Sequence, residues 1–256
     1  MAAMERMART ERTAATVSMA KTGRTVRMGS TARAHIGEDG EDGKDGITPS
    51  IGNNGNWWIG DTDTGVQAGA GEEFIFNDRG NGTTLLAYVG HDPDVVIPEK
   101  TRYIGEGAFQ NNKSLTTVKI PNNVSRIMEN AFSGCVSLES VDFPDNLYEI
   151  GVSAFKGCER LTEIDLTSTS NYFSIGDSAF AGCKMLREVN FPICLGYIGA
   201  RAFYGNTRLE AVTIPQKVQY IGEEAFATNF SLKSLTFAHT DKSTVQLQID
   251  DSAFRN

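Results

Sequence analysis

Three groups of side chains have types and spacings that could do chemistry. Cys135, Cys158 and Cys183 stand 23 and 25 residues apart. If they hold one place in successive turns of a coil, their alpha carbons stack about 5 Å apart, inside the disulfide window. Parallel side chains in register point alongside one another, so the spacing favours small buried residues filling an interior over cross-links. Cys194 falls outside that column, and without a C-x-x-C no zinc site is expected. Asp142, Glu163, Asp165 and Glu188 include carboxylate pairs of the kind used in glycoside hydrolysis. On a flat exposed face nothing raises the pKa of one carboxyl above the other, so no catalytic residue is expected among them. His35, His91 and His239 are too few and scattered for a triad or a metal cluster. Asp61, Asp63 and Gly65 spell part of a calcium loop but lack the bidentate Glu that closes one, so a solvated turn is expected there. The sequence therefore predicts no catalytic site, no cofactor and no metal.

The cysteines and carboxylates take their meaning from a repeat. Ala-Phe recurs with Phe at 109, 132, 155, 180, 203, 226 and 254, at spacings of 23, 23, 25, 23, 23 and 28 residues. A Leu-x-x-Val-x-Ile-Pro pattern keeps step with it, as in Leu115, Val118, Ile120 and Pro121, or Leu209, Val212, Ile214 and Pro215. A second apolar step follows, Val124 with Ile127, Leu147 with Ile150, Leu195 with Ile198 and Val218 with Ile221, usually closed by Gly. The opening alternation predicts a short half-buried strand, ended by a proline that cannot donate to the next ladder bond. The Ile-Gly step is expected to turn the chain, and the Phe ring to pack beneath the coil. No coil buries its apolar face alone, so about seven must stack into one core. The fold class expected is a repeat solenoid with short parallel strands, mostly β and loop, with short helical turns.

The phrase Ile-Gly-x-x-Ala-Phe-x-x-Cys-x-x-Leu, in Ile150 to Leu161 and again in Ile175 to Leu186, resembles the repeat of BspA-like leucine-rich-repeat proteins. Asn81 to Gly90, followed by Val96, Ile97 and Pro98, resembles the opening unit of such arrays. The resemblance covers residues 81–256. It implies a leucine-rich-repeat solenoid on an extracellular or cell-surface protein of a bacterium, adhering to a protein or glycoconjugate of a host or neighbouring cell. The fourth unit is two residues longer and has Thr167 to Asn171 where proline and its neighbours belong, so an outward bulge is expected there. The last unit stops after Phe254, before its Cys-x-x-Leu, which predicts a C-terminal continuation.

Four segments are expected. Residues 1–36 form a disordered head. Residues 37–50 form a collagen-like linker, with Gly37, Gly40, Gly43 and Gly46 at every third place. Residues 51–82 form a small module in which Trp57, Trp58 and Ile59 make a hairpin with Asn54-Gly55 as its turn. Residues 83–256 form the solenoid. The head keeps the same period of three in disguise, each triplet from Met4 to Arg33 opening on Met or Thr. Those are the codons produced by reading a Gly-x-Asp stalk one base late. Residues 1–35 are therefore expected to be an out-of-frame translation, and an export signal is expected upstream in the true frame.

The head carries seven Lys/Arg against Glu5 and Glu11, leaving 24 − 7 = 17 basic and 32 − 2 = 30 acidic residues in the rest of the chain. A net charge of 17 − 30 = −13 repels phosphate backbones and anionic lipids, which excludes nucleic acid as the principal partner. No stretch approaches the roughly 18–20 apolar residues of a membrane span, so no membrane insertion is expected. The outward strand positions, which line up across coils, form the candidate binding face. They are Thr117, Lys119, Ser140, Asp142, Glu163, Asp165, Glu188, Asn190, Thr213 and Thr236, with Ala211 and Ser234 beside them. The acidic centre of that face suits a basic patch on a partner protein. The function expected is adhesion or protein binding through this face. The alternative is a structural spacer or targeting module of a larger surface protein.

Overall fold

The computed structural model describes residues 73–77, 83–169, 172–238, 247–250 and 252–255, together with the strands Ser18–Met19, Arg24–Met28, Ala32–His35, Ser50–Ile51, Asn56–Ile59 and Thr62–Gln67. The chain divides into two compact units, Met1–Asn77 with Ala87–Gly90, and Asp78–Leu86 with His91–Asn256. No helix occurs among the described residues.

In the first unit the strand pairs are antiparallel. Ser50–Ile51 pairs with Asn56–Ile59, setting Ser50 against Trp58 and Ile51 against Trp57, so Asn54-Gly55 separates two paired strands. Asn56–Ile59 pairs in turn with Thr62–Gln67. Asp63 and Gly65 therefore lie in a strand, not in the solvated turn expected there, while Asp61 is outside the described residues. Phe74 packs on Tyr88 with ring centroids 4.9 Å apart. Most of residues 1–50 lies outside the described residues, as do the frame reading and the collagen-like linker.

The second unit is a solenoid of about seven turns with parallel strands, as the repeat predicts. Each coil contributes two strands. The expected one, on the Leu-x-x-Val-x-Ile pattern, forms three short ladders: Asp94–Val96, Thr117–Lys119 and Ser140–Asp142; Glu163–Asp165 and Glu188–Asn190; Ala211–Ile214 and Ser234–Phe237. The other lies on the Ile-Gly step, which turns out to be a strand and not a turn. It builds the longer sheet, running through Thr101–Ile104, Arg126–Ile127, Glu149–Ile150, Phe173–Ile175, Leu195–Ile198, Tyr220–Ile221 and Gln248–Ile249. Several of its strands are two residues long, too short to show the alternation by which a strand is read locally. Pairing with the coils above and below holds them extended.

The third side of each coil is a run of tight turns around Ala-Phe. Its ladder is made by alternate residues: Ser153, Phe155 and Gly157 donate their N–H groups to the carbonyls of Asp177, Ala179 and Ala181 at 2.8, 2.7 and 2.8 Å. The first and third of these positions lie in the left-handed region in coil after coil. Non-glycine residues hold the first at Asn130, Ser153, Ser178, Arg201 and Glu224, and Gly holds the third at 134, 157, 182 and 205. Inside the coil the Phe rings stack from Phe109 to Phe254 with centroids 4.7 to 5.4 Å apart and planes within 14° of parallel. Phe143 and Phe191 meet that column edge-on from the ladder side. Burial of these rings and of the Leu, Ile and Val rows is the main favourable term.

The cysteine column fills the interior. Cys135, Cys158 and Cys183 are buried free thiols donating to the carbonyls of Phe109, Phe132 and Phe155 at 3.0, 3.2 and 3.4 Å. Burial pushes the thiols of Cys135 and Cys183 up to about 12 and that of Cys158 well above the usual range. Cys194, off the column, donates to the carbonyl of Thr169 at 3.3 Å. The longer fourth unit closes its corner with Thr169 N–H on the carbonyl of Leu166 at 3.1 Å. The sheet register then shifts between Phe173 and Ser174.

Candidate functional site

The ladders put alternate residues on opposite faces, because successive strand side chains point opposite ways. Val118, Ile164, Val189 and Val212 are buried. Lys119, Ser140, Asp142, Glu163, Asp165, Glu188, Asn190, Ala211, Thr213, Ser234 and Thr236 are exposed, and Thr117 is half-buried. The side chains marked out by the repeat thus stand on the outer surface of the ladders. The surface is interrupted, since ladder pairing stops after Ser140–Asp142 and again after Glu188–Asn190.

Within it the charges are arranged unevenly. Lys119 Nζ lies 3.4 Å from Asp142 Oδ2, both well exposed, so one acid of the centre already has a partner. Thr117 donates its hydroxyl to Asp94 Oδ1 at 2.7 Å, and the Thr213 and Thr236 hydroxyls meet at 2.9 Å. Asp165 Oδ1 accepts the hydroxyl of Thr167 at 2.7 Å and its N–H at 3.0 Å. Those bonds favour the charged form and hold Asp165 below the usual carboxylate range, opposite to what a general acid requires. Glu163 and Glu188 are direct register partners on neighbouring strands. Asn190 donates to Glu188 at 3.0 Å, yet among the described residues no ion pair joins either glutamate to a cation. Like charges directly opposite on a sheet are destabilising.

Cys158 and its neighbours are too deeply buried for surface chemistry. Among the described residues no three His, Cys, Asp or Glu side chains gather as a metal site. His91 is exposed, and His239 lies outside the described residues. No helix among the described residues is long and apolar enough to cross a membrane.

The reading from sequence did not anticipate the outer face of the longer sheet. Tyr103, Arg126, Glu149, Ser174, Tyr197 and Tyr220 follow one another in register across it. Tyr197 and Tyr220 stack at 4.9 Å with planes 11° apart, and Arg126 lies 5.7 Å from the centre of the Tyr148 ring. The signal was present as Tyr-Ile-Gly at 103–105, 197–199 and 220–222.

A family model described as BspA type leucine rich repeat region, in six copies, matches residues 92–174 and 165–256. Among solved structures the chain is similar to the leucine rich repeat protein of T. pallidum, 28% identical with a TM-score of 0.60, over 65% of this chain and 80% of that one. It is also similar to a leucine rich cell surface protein of Faecalibacterium prausnitzii A2-165, 29% identical with a TM-score of 0.48, over 65% of this chain and 53% of that one. The chain thus spans about four-fifths of the first and about half of the second. No curated protein sequence matches it. With the family model matching residues 92–256, well over half of the chain, this chain belongs to the BspA-type leucine-rich-repeat proteins.

Proposed function

We propose that this chain is a protein-binding module that mediates adhesion at a microbial cell surface, and that it binds through the exposed outer face of the strand ladders. The observation that carries the reading is the Glu163–Glu188 pair. Two carboxylates occupy directly opposed positions of a parallel ladder, where their repulsion costs stability. Asp165 follows Glu163 two residues on, on the same face of the strand. A basic patch on a partner would relieve that repulsion on docking and would be steered towards it. Family membership supports a surface-associated interaction role, and the outward rows provide the extended surface that repeat proteins use. The partner class is a host or neighbouring-cell protein presenting clustered Lys or Arg.

The test is biolayer interferometry of the full chain and of an E163K/E188K variant against immobilised extracellular-matrix proteins and whole microbial cells. Saturable binding that weakens with salt and disappears in the variant is the expected result. Binding unchanged in the variant removes the acidic face from the reading. No binding to any surface leaves the repeats as a spacer.

A further inference from the structure

The outer face of the longer sheet carries a second cluster of polar and aromatic side chains, apart from the ladder face. It is built around Tyr172, which follows the two extra residues of the fourth unit. Tyr172 is 61% exposed. Its ring rests by its hydroxyl-bearing edge on Gly196 in the next coil: a Cβ at 196 would stand 2.2 Å from Cε2, 2.6 Å from Cζ and 2.7 Å from the hydroxyl oxygen. No positive φ at Gly196 demands a glycine. Gly196 is also the residue left unpaired where Leu195 pairs with Phe173 and Tyr197 with Ser174, so the Tyr172 ring meets the sheet at its irregular point. The register shift between Phe173 and Ser174 lies directly after the tyrosine, and bulges occur where a side chain is re-aimed for function. The result is an aromatic ring propped on the sheet with most of its surface in water.

Polar groups lie along the same coil and on the next one. Ser174 is the register partner of Tyr197, so its position lies beside that phenol at the centre of the patch. Asp177, exposed on the same coil, accepts the N–H of Ala200 on Oδ1 at 2.8 Å, and its carboxylate faces solvent. The Tyr197 phenol is held above its usual range by partial burial, then by the Asp177 carboxylate, Tyr220 and Tyr172, so it stays a hydrogen-bond donor. An open aromatic ring on a coil that also carries a carboxylate and a serine hydroxyl, with a phenol on the next coil, suits a ligand with one apolar face and a rim of hydroxyls. A pyranose is such a ligand: its axial C–H bonds pack on the electron-rich ring face, and its hydroxyls donate to carboxylate and accept from phenol. Proline-rich peptides need aromatic-lined grooves, and their prolines bring no N–H for Asp177. A quaternary ammonium needs several ring faces turned towards it, whereas Tyr197 and Tyr220 turn theirs on each other.

We infer that Tyr172, Ser174, Asp177 and Tyr197 form a shallow glycan-binding site for a single terminal or internal pyranose unit. The Gly196-supported ring of Tyr172 serves as its stacking platform.

The test is saturation-transfer difference NMR of the full chain with the methyl pyranosides of galactose, glucose, mannose and their N-acetylhexosamines, with choline and arginine as cationic comparators. At least one pyranoside should show saturation strongest on its C–H protons. Tyr172→Ala and Gly196→Ala should each weaken that binding by about tenfold or more, while Tyr172→Trp retains it. E163K/E188K should leave it unchanged, which separates this site from the ladder face. Melting temperatures of the variants show whether a loss is merely structural, and Tyr172→Trp keeps the test valid if Gly196→Ala melts early. No saturation transfer to any pyranoside overturns the inference. So does pyranoside binding unaltered by Tyr172→Ala, or a cationic comparator binding at Tyr172 in place of a sugar.

Discussion

A methyl group on Gly176 would stand 2.8 Å from the carbonyl carbon of Gly151 and 2.8 Å from the nitrogen of Val152. Backbone occupies that space, so nothing soft can yield. The glycine that ends each Ile-Gly strand lets one coil settle on the next, and it does so without any positive φ. Gly157 differs: its φ is +72°, but an added Cβ would meet nothing nearer than 3.9 Å. Gly176→Ala is therefore expected to destabilise through overpacking by about 1–3 kcal/mol. Gly157→Ala should cost about 1 kcal/mol, through backbone conformation alone. Urea unfolding followed by circular dichroism ranks the two. The opposite order would mean that conformation, not close approach, governs the stacking.

Ser153 sits in the left-handed region at φ 54°, where its coil spends an L residue on a geometry suited to glycine. Its backbone N–H must point along the solenoid to reach the carbonyl of Asp177. Ser153→Gly removes that strain and is expected to raise stability by about 0.5–1 kcal/mol, after the extra chain freedom of glycine in the unfolded state is offset. A lower denaturation midpoint would show that the serine contributes more than its backbone.

Phe155 lies between Phe132 and Phe180, with centroids at 4.9 and 5.1 Å. Truncating it opens a gap in the middle of the column, and neighbouring coils cannot close over it without breaking their ladders. Phe155→Ala is expected to cost about 3–5 kcal/mol. Thermal melting within a degree or two of the parent would contradict the central role given to the ring stack.

Folding raises the thiol pKa of Cys135 and Cys183 from the usual value near 9 to about 12. Below pH 9 the thiols are protonated in both folded and unfolded chains, and their contribution is fully present. Between about 9 and 12 the unfolded chain releases these protons while the folded chain keeps them, so stability falls as pH rises. The native protein should resist iodoacetamide at neutral pH and react at all four cysteines in urea. Its denaturation midpoint should drop above pH 9, and a Cys135→Ala/Cys183→Ala variant should lose less across that range. Rapid labelling of the native chain would place the column nearer to solvent.

Glu188→Lys converts the Glu163 repulsion into an opposite-charge cross-strand pair. It is expected to add about 0.2–1 kcal/mol of stability while removing binding through the ladder face. Gain of stability with loss of binding separates the two roles in one variant. Loss of both would mean that Glu188 supports the coil.

Much of the fold was legible because a repeat states the same instruction many times. Phe109 to Phe254, the cysteine column and the Leu-x-x-Val-x-Ile rows each mark a place that only a stacked coil can bury, and their spacing specified the stacking and the in-facing rows. The outward residues from Thr117 to Thr236 followed from alternation alone. Two features were not legible. Arg126–Ile127 and Glu149–Ile150 are too short to announce a strand, and only partners a coil away hold them extended. The ring of Tyr172 meets Gly196 where the register shifts between neighbouring strands, and nothing local to either residue records it. Sequence determined which residues are inside, because burial is decided by each residue's own chemistry at its place in the period. Tertiary structure decided which outside residues stand together, because surface neighbours in a solenoid belong to different coils and their alignment depends on register.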